Sequence, residues 1–131
     1  MHRELRFIVP GNPIGINQVF CGGKRPFVKT TRARNFAAAV AHYGRRAWAA
    51  TDKDMPWQGR ATVYIDLFFR DRRPDIDGPI KAILDALQPS RPQRSGAGII
   101  NNDRQVAELH VRRYVDKEDP RAEITVHLTE G

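Results

Sequence analysis

Cysteine is almost absent: Cys21 is the one thiol in 131 residues. A single thiol cannot close an internal disulfide, and it excludes a cysteine-rich metal site. A reducing cytoplasm suits such a chain. The four histidines, His2, His42, His110 and His127, show no paired metal-ligand spacing. No apolar run approaches the ~20 residues needed to span a bilayer, and the opening MHRELRFIVP lacks the apolar core of a secretory signal. There is no G-x-x-x-x-G-K-S/T loop, which argues against a P-loop enzyme. Carboxylates are outnumbered. The 15 Asp and Glu stand against 22 Lys and Arg, a net charge of +7 with an isoelectric point near 10.2. An excess of that size points to a polyanionic partner, nucleic acid first.

With 40% apolar residues, a single domain over residues 1–131 with a real core is expected. Residues 3–9 alternate as a strand, with Leu5, Phe7 and Val9 on one face. A glycine- and proline-rich loop follows over 10–24, and Phe27 to Lys29 reads as a short strand. Thr31 to about Ala50 reads as a helix with Phe36, Val40, Tyr43, Ala47 and Trp48 along one stripe. Gly44 weakens it slightly. Arg60 to Arg70 is the clearest strand: Ala61, Val63, Ile65, Leu67 and Phe69 alternate with Thr62, Tyr64, Asp66 and Phe68. Tyr64, Phe68, Trp48 and Trp57 are either core residues or candidates for a subunit interface. Residues 88–98, QPSRPQRSGAG, read as a mobile loop ordered by a partner. Val106 to Val115 and Arg121 to Leu128 read as two strands joined in an antiparallel hairpin, the first with Ala107, Leu109 and Val111 inward. The expected class is α+β (α/β-type): a mixed β-sheet with two main helices packed on it and a C-terminal antiparallel hairpin.

The stretch RRPDIDGPIKAILDAL, residues 72–87, carries the chemistry. Asp77 suits a helix N-cap, Pro79 fits the first turn, and Ile80, Ile83, Leu84 and Leu87 form one apolar face. Asp75 and Asp77 lie two apart on a segment read as extended, where their side chains point the same way. Such a pair suits a hard cation such as Mg²⁺. Lys81, one turn on, could neutralise charge that develops on a phosphate. The plain alternative is a capping residue, an Asp77–Lys81 ion pair and a solvated charge. Asp85 is either an exposed charge or a support for the site. Asp103, at a strand start, lies at the sheet rim like Asp75 and Asp77, so the three could meet. Arginines flank these acids, and Lys24, Arg25, Lys29, Arg32 and Arg34 cluster earlier. Acids for a metal set among bases for phosphates is what a nuclease requires.

The blocks RRPDIDGPIKAILDALQ and GIINNDRQVAELHVRR resemble the RusA family of Holliday-junction resolvases, small endodeoxyribonucleases of bacteria, their phages and prophages. That family's pattern runs D-x-D-N, a lysine, D-A-L, and later D-D-x-Q-V before a strand. Asp75, Asp77, Lys81, Asp85, Ala86 and Leu87 match, as do Asp103, Gln105 and Val106. VPGNPIGIN is similar to the family's opening, with Asn17 at its asparagine. Gly78 stands where the family has asparagine, and Asn102 where it has the first of two aspartates.

The resemblance implies that Asp75, Asp77 and Asp103 are metal-binding catalytic acids and Lys81 an essential lysine. It also implies Mg²⁺ (with Mn²⁺ as a substitute), a homodimer, and cleavage of four-way DNA junctions. Asn17, Lys24, Arg25, Lys29, Arg32, Arg72 and Arg73 are the candidate DNA contacts. Two other classes stay open. One is a branched-DNA-binding protein of the same fold with weakened catalysis, which Gly78 and Asn102 allow. The other is a metal-dependent phosphoryl-transfer enzyme acting on a smaller substrate.

Overall fold

The computed structural model describes residues 2–14, 31–51, 55–89 and 95–130. The short strand expected over Phe27 to Lys29 lies outside them. The described elements are β1 (His2–Pro10), α1 (Thr31–Ala49), β2 (Arg60–Phe69), α2 (Asp77–Leu87), β3 (Val106–Val115) and β4 (Arg121–Thr129), with a 3₁₀ turn at Asp103–Gln105. The four strands form one mixed sheet in the order β1-β4-β2-β3, with α1 packed on β1 and on α2. The class expected from the sequence therefore holds. No described helix is long and apolar enough to cross a membrane.

Period-two patterning places the core. Ala61, Val63, Ile65, Leu67 and Phe69 of β2 and Ala122, Ile124, Val126 and Leu128 of β4 are all fully buried. Each large aliphatic or aromatic side chain so buried contributes roughly 1.5–3 kcal/mol relative to exposure. From α1, Phe36, Val40 and Trp48 reach this core, and from α2, Ile83 and Leu87. Trp48 is thus core, while Trp57 is half-buried with Nε1 donating to the Thr129 carbonyl at 3.0 Å. Gly44 does more than weaken α1. A Cβ there would press on Ala97 and on the Phe7 ring at 3.1 and 3.2 Å, so its absence lets the helix sit close.

The C-terminal hairpin is not formed. β4 lies between β1 and β2, antiparallel to both, and β3 pairs in parallel with the far side of β2. The reason is burial. β4 places every second side chain in the core, which suits a central strand, whereas β3 is exposed at most positions. Residues 116–120 step across the end of β2, where Asp116 N–H donates to the Phe69 carbonyl at 2.8 Å. Arg121 holds this crossing. It donates to Glu123 at 2.7 Å and Asp116 at 2.9 Å, and its guanidinium lies 3.8 Å from the Phe68 ring centroid.

The inward side of β3 is also less covered than its pattern suggests. Leu109 pairs in register with core residue Val63 yet is 41% exposed, and Val115 is 49% exposed. Ala107 is exposed as well, and Val111 is half-buried. The expected mobile loop is partly docked: Ala97 N–H donates to the Ala86 carbonyl at 2.7 Å, and Arg45 donates to the carbonyls of Ser95 and Gly96. Residues 90–94 lie outside the described set.

Candidate active site

One end of the sheet gathers the C-terminal ends of β1 and β2 and the N-terminal ends of both helices. Asn12, just after β1, accepts from the Arg70 N–H at 2.9 Å and ties the two exits together. Asn12, Arg32, Asn35 and Arg70 help line a cleft of about 280 Å³ here. The chain then turns outward. Arg73 donates to Asp71 from both its backbone and its guanidinium, each at 2.9 Å. These bonds hold the Asp71 carboxyl at a pKa of about 2, well below the usual carboxylate range. Arg73 is correspondingly more basic than a free guanidinium. Arg113 of β3 donates to the Arg72 carbonyl at 3.2 Å, which anchors this segment beside the C-terminal end of β3. Arg72 itself is exposed.

Asp75 and Asp77 follow, both exposed, on either side of Ile76, which packs against the core. Two details differ from the sequence reading. Ile76, not Asp77, occupies the cap position and makes no side-chain cap bond; its backbone is helical (φ −86°, ψ −24°), so the pair does not sit on a fully extended segment. Asp77 lies inside the first turn, where a carboxylate gains from the positive end of the helix dipole. Gly78 and Pro79 are buried beneath it. Lys81 pairs with Asp85 at 3.6 Å rather than with Asp77. Both ends of that pair are more than half exposed, so it holds the lysine only weakly, ~0.3–0.5 kcal/mol.

Asp103 is built at the other end of the sheet. It opens the 3₁₀ turn leading into β3, capped by Asn102, whose Oδ1 accepts from the Arg104 N–H at 2.8 Å. Gln105 closes the turn. Its Oε1 accepts from the N–H groups of Asn101 and Asn102 at 2.8 and 2.9 Å, and its Nε2 donates to the carbonyls of Trp57 and Gly59 at 2.6 and 2.7 Å. Asn102 thus has a structural task where the family pattern has an aspartate. Both roles were missed in the sequence, although Asn-x-x-Gln is a capping-box spacing.

Because β2 and β3 are parallel, with Ala61 beside Val106 and Phe69 beside Val115, the ends carrying Asp103 and Asp75–Asp77 are separated by about 26 Å of strand. The expected meeting of the three acids does not occur within one chain. Among the described residues no three His, Cys, Asp or Glu side chains are grouped to hold a metal ion.

Of the basic candidates, Arg32, Arg72 and Arg73 lie at the Asp75–Asp77 end, and Arg32 is exposed on the first turn of α1. Arg112 is held by Asp66 at 3.0 and 3.1 Å. Asn17, Lys24, Arg25 and Lys29 lie outside the described residues.

A search of curated proteins gives no match. The profile of the family described as "Endodeoxyribonuclease RusA" matches residues 10–127, which takes in β1's end, both helices, both acid-bearing turns and most of β4. With the match spanning nearly the whole chain, this protein belongs to the RusA endodeoxyribonuclease family.

Proposed function

We propose that the chain is a Mg²⁺-dependent, structure-selective endonuclease that resolves four-way DNA junctions by paired nicks, acting as a homodimer in the cytoplasm in recombination and repair. The observation that supports this most is the pairing of two exposed carboxylates, Asp75 and Asp77, with exposed Arg32 and Arg72 at one end of a chain of this family. Two carboxylates suit Mg²⁺ when substrate phosphate oxygens complete its shell, so Asp75 and Asp77 would hold the ion, with Mn²⁺ as a substitute. Bound there, the ion supplies Lewis acidity and a bound water of lowered pKa.

The chain's own groups do the rest. Arg32, Arg72 and Arg73 position the phosphate backbone. Lys81, released from Asp85, reaches the oxygens on which charge develops. Asp103 is the third acid of the family pattern; lying at the opposite end of the sheet within one chain, it would serve the site of a second copy in the homodimer.

The test is cleavage of synthetic four-way junctions and matched duplexes with and without Mg²⁺. Symmetric cuts in junctions alone, only with the metal, are expected. Tight junction binding without cleavage under any divalent metal would favour the runner-up, a branched-DNA-binding protein of the same fold.

A further inference from the structure

The cleft of about 280 Å³ beside the acid-bearing turn carries more chemistry than phosphate contact calls for. One wall is a single face of α1: Arg32, Asn35, Phe36 and Ala39 stand at i, i+3, i+4 and i+7. The other is the turn that leaves β1, with Gly11 in the left-handed region at φ 101° and then Asn12. Where a helix seats on a sheet, such a face is apolar. Here only Phe36 of the four is buried, and Arg32 and Asn35 are exposed.

Asn12 is oriented by the backbone. Its Oδ1 accepts from the Arg70 N–H at 2.9 Å. A backbone N–H can be met only by the oxygen, so the amide cannot be turned over. Nδ2 keeps two N–H groups with no acceptor among the described residues. Asn35 likewise makes no side-chain hydrogen bond among them. The cleft thus holds one fixed amide and one that can rotate.

We propose that this cleft takes one unstacked nucleobase of the strand being cut, and that Asn12 and Asn35 read its edge. The strand is that of the nuclease reading above; the pocket rests on the cleft's own residues. Its volume lies just below the ~300–1,000 Å³ of pockets for drug-sized ligands, which suits a single heterocycle and not a base pair. Proteins that hold an extruded base set apolar side chains on its faces and hydrogen-bonding groups at its edge. Phe36 and Ile14 supply the first, the two asparagines the second. Extrusion costs least where a base is already poorly held, and a branch point interrupts stacking. Arg70 precedes Asp75 by five residues, a reach of at most ~18 Å, shortened by the bonds between Asp71 and Arg73. The base read therefore lies within a few nucleotides of the phosphate at Asp75 and Asp77.

Charge selects the edge. Asn12 offers donors only, and the guanidiniums of Arg32 and Arg70 accept nothing. A cleft lined by one sign of charge focuses its field, so two adjacent acceptor atoms are favoured: N7 and O6 of guanine, or N3 and O2 of cytosine. Adenine and thymine set an N–H donor next to each such acceptor.

Two measurements test the pocket. The first is nicking of junctions that carry each of the four bases in turn beside the cut. Guanine or cytosine at one position should be cut faster than adenine or thymine by roughly fivefold or more, and the two arms show which is taken. Asn12→Asp keeps the acceptor for the Arg70 N–H and removes both donors. Asn35→Leu, at an exposed helix position, keeps the size and removes the amide. Each should bring the ratio toward one. Equal rates for all four bases in the wild type, or a ratio unchanged in both variants, would overturn the proposal. The second measurement needs no cleavage. Pyrrolocytosine, which brightens on unstacking and retains N3 and O2, is placed at the branch point of a junction bound by Asp75→Asn. Its fluorescence should rise, and the rise should vanish when Asn35→Leu is added. No rise, or a rise that persists, overturns the pocket. A rise that depends on Asn35 in a protein whose wild type cuts nothing upholds the pocket and sinks the nuclease reading.

Discussion

Gln105 donates from Nε2 to the Trp57 carbonyl at 2.6 Å, and so fastens the turn that carries Asp103 to the chain entering β2. The same amide satisfies three further backbone groups. Gln105→Ala leaves four polar groups to find water, at a cost of ~1–3 kcal/mol. The urea midpoint should fall by the corresponding amount. Gln105→Glu keeps the acceptor for Asn101 and Asn102 but turns a carboxylate toward two carbonyls, so it should destabilise more than its size suggests. Both variants should also weaken Mn²⁺ binding. Unaltered metal affinity in a destabilised variant would reduce Gln105 to a purely structural role.

Arg121 is the clamp of the β3–β4 crossing, 19% exposed and bonded to Glu123, Asp116 and the Asp119 carbonyl. The bond from Arg121 is the main cause that lowers the Asp116 carboxyl below its ordinary 3.8. A carboxyl depressed in the folded state stabilises the fold above its unfolded pKa and loses that contribution as pH falls through the folded value. Arg121→Met should therefore lower Tm at neutral pH, and the gap to wild type should narrow as pH drops below about 4. A gap that stays constant down to pH 2 would show that packing on Phe68, not the Asp116 pair, carries the effect.

Local chemistry made most elements readable and pairing made the order of strands unreadable. Alternation marked β2 and β4, and an apolar stripe marked α1 and α2, because each buries one face. Nothing local says which strand lies beside which. Sequence neighbours favour a hairpin, but the fully buried face of β4 demands two flanking strands, and β3, exposed at Glu108, His110 and Arg112, takes the edge. The same parallel pairing of β2 and β3 decided the site. Asp75, Asp77 and Asp103 were legible as acids of one kind; that they occupy opposite ends follows only from the topology. The capping spacing of Asn102 and Gln105 is local and legible in principle, whereas the reach of Gln105 to the Trp57 and Gly59 carbonyls is a long-range contact that no local pattern carries.

Asp75→Asn, Asp77→Asn and Asp103→Asn should each reduce cleavage by orders of magnitude and leave junction binding within a few-fold. All three side chains are exposed, so asparagine costs the fold little. It keeps the shape and removes the charge that a hard cation requires. Gel-shift titration beside a cleavage assay checks this. Wild-type turnover by any one variant removes that residue from the site.

Lys81 and Asp85 form an exposed i,i+4 pair at 3.6 Å. Its loss should change stability by no more than ~0.5 kcal/mol. Lys81→Ala should nonetheless lose most turnover while Mn²⁺ binding survives. Asp85→Ala should cut at wild-type rates or faster, because it frees the lysine for the phosphate. Equal, near-normal rates in both variants would leave the pair as surface decoration.

Arg32, Arg70 and Arg72 are exposed around the Asp75–Asp77 end, and Arg46 is exposed in the last turn of α1. If the first three contact phosphates, each releases counterions on binding and adds about 0.9 to the slope of log affinity against log salt. Replacing all three by Ala should flatten that slope by up to about 2.7, with the loss shared between junction and duplex, since phosphate contacts carry no base information. Arg46→Ala removes the same charge from the opposite end of the helix and should leave the slope unchanged. Fluorescence anisotropy across a salt series measures both. An equal change from Arg46→Ala would mean that the slope reports net charge and that no particular end of the sheet faces DNA.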